Sequence, residues 1–300
     1  MTPAGPRRAG VLGHPIGHSL SPVLHRAAYA ALGLAWSYEA YDVEEAALPD
    51  FLAGLDASWA GLSLTMPLKQ AVLPLLDHVE PLAQVVGAVN TVLVDRGGAR
   101  PVLTGVNTDV AGIVAALREG LAPAGEEAPP DAGARVPARV ASAVVLGAGA
   151  TAASAMAAVA ELGCAAPTVF ARSMARAGGA MRAASRMGLD PRFLVAEPVE
   201  RLLRAAAGAD VVVSTLPPHA ADAWAAGLAE AGTPVRGVLL DCAYEPRPTA
   251  LGAAWAAGGG TVVGGERMLL HQAVEQVRLM TGRPGPVAAM AAALAGALAP

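Results

Sequence analysis

The spacing of apolar residues changes period repeatedly along this chain, and each change marks an element. Ala9–Gly13 (AGVLG) is a short apolar run that predicts a strand, closed by a Gly-His-Pro loop. Apolar residues then recur at helical spacing through SPVLHRAAYAALGL, with Ser21 the expected N-cap, Pro22 at the first helical position and Gly33 as the stop. WSYEAYDV alternates as a strand does, ALPDFLAGL is helical, and LSLT alternates again until Pro67 ends it. Strands that alternate with helices predict an α/β layer architecture.

Residues 123–139 (PAGEEAPPDAGARVPAR) break this pattern, and their proline, alanine and charge predict an extended or disordered surface loop. Beyond them, ASAVVLGAGATAASAMAAVAELG passes from a buried strand through glycines into a helix. APTVFARS, DVVVSTLP and GVLLDCAY supply three further strands with helical segments between, the rhythm of a doubly wound parallel sheet. Met268–Gly282 reads as an amphipathic helix, and VAAMAAALAGAL, after Pro284 and Pro286, as another. No long repeat recurs, which excludes a solenoid.

Length and charge narrow the function. Three hundred residues suffice for two domains with real cores. A net charge of −4 lacks the concentrated positive field that nucleic acid or an anionic membrane surface requires, so a small molecule is the expected partner. The longest apolar runs fall short of the roughly 20 residues that span a bilayer. Cys164 and Cys242 are too few for a disulfide framework and form no C-x-x-C pair, which fits a reducing cytoplasm.

Composition also singles out particular residues. Lys69 is the only lysine beside twenty arginines, and Asn90 and Asn107 are the only asparagines. In a chain so depleted of both types, their retention marks positions that arginine, serine or aspartate cannot serve. A lysine amine loses its proton when burial or a neighbour lowers its pKa, whereas guanidinium does not. Lys69, just past a strand and beside Thr65, suits a general acid/base, and Asp109 supplies a carboxylate to orient it; the alternative is a solvated surface lysine.

Leu146–Ser154 (LGAGATAAS) has G-x-G-x-x-A spacing between a strand and a helix, the context in which a backbone turn brings a pyrophosphate onto a helix N-terminus. Arg172, Ser173 and Arg176 follow the next strand, where an acidic residue would select NAD and an arginine pairs with the 2′-phosphate of NADP. NADP is therefore the expected cofactor. Ser19 and Ser21 offer hydroxyls at the end of the first strand. His14 and His18 are four apart, but Pro15 and Gly17 break any helix between them, and no metal site is expected.

GHPIGHSLSPVLH, LTMPLK, GAVNT, GVNTDVAG, GAGATA, ARSMAR, DCAYEP and GGERMLLHQA, in this order, resemble the shikimate dehydrogenase family along nearly the whole chain. The resemblance implies an N-terminal α/β substrate-binding domain (residues 1–110, completed by 270–300) and a Rossmann-like NADP-binding domain with a parallel sheet (residues 111–269). It implies that Ser19 and Ser21 bind the substrate carboxylate, that Thr65, Asn90 and Gln272 contact substrate, and that Tyr244 lies close by. Lys69 and Asp109 match the family's catalytic pair, with Lys69 taking the C3 hydroxyl proton as hydride leaves and returning it when 3-dehydroshikimate is reduced. Gly147, Ala148, Gly149, Ala150, Arg172, Ser173, Arg176, Thr215, Gly265 and Met268 match cofactor-binding positions. A cytoplasmic enzyme of chorismate and aromatic amino-acid biosynthesis follows, with a homodimer admitted as its assembly.

Several positions depart from the family pattern. Ser63 and Leu64 stand where Asn-Val is common, Arg26 and Ala171 where asparagine is frequent, and STLPP (Ser214–Pro218) where Asn-Ala-Thr is usual. Two other readings stay open at this point: a quinate or quinate/shikimate dehydrogenase using NAD, and a catalytically silent NADP-binding regulator on the same fold.

Overall fold

The computed structural model describes residues 6–95, 100–122 and 139–299. The expected Pro-rich loop, residues 123–138 of it, lies outside them. The chain divides into two compact units, residues 1–109 with 269–300 and residues 110–268. Both crossings fall inside helices, Asp109–Leu121 and Gly265–Thr281.

The first unit holds a six-stranded mixed sheet of β1 (Arg8–Gly13), β2 (Ser37–Asp42), β3 (Trp59–Leu64), β4 (His78–Val79), β5 (Thr91–Asp95) and β6 (Val102–Val106), in the order β2-β1-β3-β5-β6-β4. Only β5 runs against its neighbours, pairing antiparallel with β3 and β6. β3 was expected to alternate, yet all six of its residues are buried, because both of its edges are paired and both of its faces covered. Gly61 permits this, since a Cβ there would meet the Val92 carbonyl at 2.8 Å and the Met280 side chain. One face packs Leu12, Leu62, Leu64 and Val92, while Leu24 and Ala28 of helix Ser21–Ala31 pack against Leu270, Val277, Met290 and Leu294. Helix Ser21–Ala31 ends as expected at Gly33, whose φ of +63° lets Leu34 N–H reach the Tyr29 carbonyl at 2.8 Å.

The second unit holds β7 (Ala143–Leu146), β8 (Thr168–Ala171), β9 (Arg192–Val195), β10 (Val211–Ser214), β11 (Val238–Asp241) and β12 (Thr261–Gly264) in the order β12-β11-β10-β7-β8-β9, all parallel. This is the doubly wound order, with its switch point between β7 and β10. The central strands β7, β10 and β11 are wholly buried, which is why they read as continuous apolar runs. The outermost strands, β9 and β12, are half exposed and carry no such run, and the sequence reading passed over them. Among the described residues no helix is long and apolar enough to cross a membrane.

Candidate active site

Four segments of the first unit meet around Asp109, whose carboxylate two of them bind. The chain leaving β3 passes through Thr65 to Pro67 and enters the short helix Leu68–Ala71 that carries Lys69. Asn90 immediately precedes β5, Asp109 opens the helix Asp109–Leu121 after β6, and Gln272 projects from Gly265–Thr281. Lys69 Nζ donates to Asp109 Oδ2 at 2.5 Å, with 14% of the lysine side chain and 4% of the aspartate side chain exposed. The lysine side chain thus keeps some exposure while its carboxylate partner is enclosed. Asn90 Nδ2 donates to Asp109 Oδ1 at 2.8 Å, so both carboxylate oxygens are held. The helix N-terminus adds a favourable dipole for the carboxylate.

Asn90 has only one workable orientation. Its Oδ1 accepts the Thr108 backbone N–H at 2.7 Å, and a backbone N–H only donates. Its amide nitrogen must therefore face Asp109, and its second hydrogen is shared between Thr108 Oγ1 at 2.9 Å and Gln272 Oε1 at 3.3 Å. Gln272 Nε2 is tied to the Leu269 carbonyl at 2.9 Å. The structure thus brings together Lys69, Asp109, Asn90 and Gln272, which the sequence placed at four distant positions.

Ser19, Ser21 and Thr65 lie at the ends of β1 and β3. Thr65 N–H donates to the Leu12 carbonyl, and its methyl group fills the space that a side chain on Gly13 would need. Ser21 does not cap its helix. The cap position belongs to Leu20 in helical conformation, Ser21 is the first helical residue, and no side chain caps the end. Ser19 Oγ instead accepts the Ser21 N–H at 3.4 Å. The buried Ser21 side chain faces the Tyr38 hydroxyl, on whose ring His25 stacks at 3.9 Å. Burial pulls the His25 imidazole down to about 4 and pushes the Tyr38 hydroxyl well above its ordinary value.

In the second unit, the loop after β7 borders a cavity of about 260 Å³ lined by Gly147, Ala148, Gly149, Arg172, Ser173, Arg176 and Thr215, all expected cofactor positions. Gly147 has a φ of +112°, and a methyl group there would collide with Thr215 Oγ1. Thr215 Oγ1 donates to the Leu146 carbonyl at 2.9 Å, which fixes this contact. Gly149 leaves open space beside the N-terminus of helix Ala150–Glu161, whose first turn carries no side-chain cap. Arg172 and Arg176 are exposed and make no ion pair among the described residues. A helix N-terminus without a side-chain cap, two guanidinium groups without an ion pair among the described residues and, among those residues, a lining without acidic side chains fit a dinucleotide with a 2′-phosphate.

Ala150 opens the helix behind this loop. Gly265 and Met268 lie outside the cavity lining. Gly265 starts its helix so close to the Cys242 carbonyl that any side chain would clash, and the Met268 sulfur lies 3.5 Å from Cys242 Sγ. Tyr244 follows β11 in this second unit, and burial raises its hydroxyl pKa, with the Glu245 charge adding to the effect.

The sequence reading missed Thr108, Thr91, Ser63 and Gln276 in the first unit and Phe170, Leu216 and Trp224 in the second. Thr108 sits inside GVNTD, between two singled-out residues. Gln276 stands one helical turn after Gln272, and that i, i+4 repeat of a buried amide was the available signal.

Comparison with known proteins identifies the family. Residues 11–92 match the shikimate dehydrogenase substrate binding domain, and residues 265–295 match the shikimate 5′-dehydrogenase C-terminal domain. The NADP(+) shikimate dehydrogenase of Symbiobacterium thermophilum is 38% identical over 99% of this chain and 97% of its own. The Mycobacterium tuberculosis shikimate dehydrogenase structure superposes with a TM-score of 0.80 at 40% identity, covering 97% of this chain and all (100%) of that one. The Thermus thermophilus enzyme, solved with NADP(H) and shikimate, gives a TM-score of 0.75 at 34% identity over 97% of this chain and 100% of its own. The chain belongs to the shikimate dehydrogenase family.

Proposed function

We propose that this chain catalyses the reversible, NADP-dependent reduction of 3-dehydroshikimate to shikimate, a step toward chorismate and the aromatic amino acids. The observation that carries the reading is the Lys69–Asp109 pair, a partly exposed lysine on an enclosed, doubly held carboxylate. A pure NADP binder needs no such titratable pair. Bound NADPH supplies the hydride, and NADP accepts it in the reverse direction. Lys69 Nζ gives its proton to the substrate oxygen during reduction and takes it back during oxidation. Asp109 and Asn90 hold the amine in place, Thr65, Asn90 and Gln272 meet substrate hydroxyls, Ser19 and Ser21 meet its carboxylate, and Tyr244 is the further substrate residue that the family resemblance implies.

The units divide the labour: residues 1–109 with 269–300 hold substrate, and residues 110–268 hold NADP. Gly147, Ala148, Gly149 and Ala150 cradle the pyrophosphate, Arg172, Ser173 and Arg176 read the 2′-phosphate, and Thr215, Gly265 and Met268 complete the cofactor side. Arg172 and Arg176, exposed and without an ion pair among the described residues, favour NADP over NAD. A cytoplasmic location is the reading supported by two cysteines that form no disulfide among the described residues and by a biosynthetic substrate. A homodimer is the assembly to be tested by light scattering.

Initial rates with shikimate and quinate, each with NADP and NAD, test the function. Shikimate with NADP is expected to be the fastest pairing. Faster turnover of quinate with NAD, or no oxidation in any of the four by protein that binds NADP, overturns it.

A further inference from the structure

Ser63 and Thr91 face each other across the antiparallel pair β3–β5. The amide of Gln276 lies across both. Ser63 Oγ donates to Gln276 Oε1 at 2.8 Å, and Gln276 Nε2 donates to Thr91 Oγ1 at 3.0 Å and to the Asn90 carbonyl at 3.4 Å. Gln276 is 1% exposed and shares its buried helix face with Ala273, Val277 and Met280. A buried glutamine there costs side-chain entropy and desolvation that an apolar residue would avoid. Its hydrogen bonds all go to residues under the candidate active site.

The direction of the protons on Gln276, Ser63 and Tyr38 follows from one fact, that the Asn90 carbonyl can only accept. The NH₂ of Gln276 must face that carbonyl, so its Oε1 faces Ser63, and Ser63 spends its one proton there. Tyr38 then donates to Ser63 Oγ, at 2.6 Å. On the other side, Thr91 Oγ1 receives the Gln276 proton and has its own for Asn90 Oδ1 at 3.1 Å, the nearer of two acceptors, Thr108 Oγ1 being the other at 3.3 Å. The bond to Asn90 Oδ1, with the Thr108 N–H, keeps the Asn90 NH₂ on Asp109. The bonds run one way from Tyr38 to the carboxylate, an arrangement in which each polarises the next.

We propose that Gln276 is a positioning residue for the reaction: by setting the direction of the Thr91 hydroxyl it locks the Asn90 amide onto Asp109, and through Asp109 it fixes the Lys69 amine. The inference rests on Lys69 and Asp109 being the acid/base pair, as argued above. Amides orient and do not shuttle protons, so the effect is one of placement.

The test is steady-state oxidation of shikimate by NADP in Gln276→Met, Thr91→Val, Thr91→Ser and the Gln276→Met/Thr91→Val double variant. Gln276→Met keeps the volume and removes both ends of the bridge. It is expected to lower kcat by about tenfold, the scale of a slightly misplaced catalytic group, with the KM for NADP unchanged. The double variant should be no slower than the worse single one, because both act through one contact. Thr91→Ser keeps the hydroxyl and should keep the parental kcat. A parental kcat in Gln276→Met, or multiplied losses in the double variant, overturns the inference. If Gln276→Met does not fold, the threonine pair decides: equal kcat in Thr91→Val and Thr91→Ser overturns it. A parent chain that does not oxidise shikimate overturns this inference together with the proposed function, whereas an active parent with an unaffected Gln276→Met overturns the inference alone.

Discussion

Around Lys69, side chains satisfy one another inside the protein: the lysine, Asp109, Asn90, Thr91, Thr108 and Gln276 form one connected set of hydrogen bonds. Around Gly147 the reverse holds. There no side chain caps the helix N-terminus, Arg172 and Arg176 are exposed, and the cavity wall combines the glycine loop with Phe170, Leu216 and Trp224. A proton has to be given and taken at a fixed point, so its carrier is held from several sides and its partner is shielded. A cofactor that enters and leaves requires charges that water can hold meanwhile. Breaking the first kind of site strands a buried charge, whereas breaking the second lets water take over, so the effects should differ in size and in the constant they change.

Asp109→Asn should have the larger effect. It leaves the Lys69 amine without its carboxylate, and kcat is expected to fall by about 10³-fold with NADP affinity intact, read by steady-state kinetics beside a fluorescence titration with NADPH. If NADP affinity collapses while kcat holds, the contrast between the sites breaks. Gly147→Ala comes next. It places a side chain at a φ of +112° against Thr215, and NADPH affinity should fall by roughly tenfold or more, given a strain of about 1–3 kcal/mol, with the fold retained by circular dichroism.

Arg172→Ala should cost about tenfold in NADP affinity, the scale of one charge-assisted hydrogen bond, and leave NAD unchanged. Equal loss for both cofactors would remove Arg172 from the 2′-phosphate site. The smallest effect on turnover at neutral pH belongs to the buried histidine. His25 titrates at about 4 in the folded chain against an ordinary 6.5, so its contribution is fully present above 6.5 and is lost as pH falls from 6.5 through about 4. His25→Phe keeps a ring on Tyr38 and should flatten that part of the stability-versus-pH curve; an unchanged slope in urea titrations across this range would contradict it.

The sequence carried the parts of this picture that are local or that depend on residue type. A lone lysine, two asparagines and a glycine loop between strand and helix were enough to locate Lys69, Asn90 and Gly147, and the second sheet followed from its buried central runs. Ser21 was misassigned as a cap because a serine before a proline looks like one, while the chain enters the helix one residue earlier at Leu20. The reversal of β5 was hidden, since strand direction leaves no mark on apolar spacing. Ser63 was recorded only as a departure from the family, because its partner Gln276 lies 213 residues away and helical periodicity does not reveal what a polar residue on a buried face will meet.

The claim at the centre is that Lys69 moves the proton, and Lys69→Arg tests it most directly because it keeps the positive charge while removing a titratable amine. At saturating shikimate and NADP, kcat is expected to fall by roughly 10²-fold or more, with NADPH binding unchanged. Turnover within a few-fold of the parent would mean that Lys69 supplies only charge and that the proton takes another route.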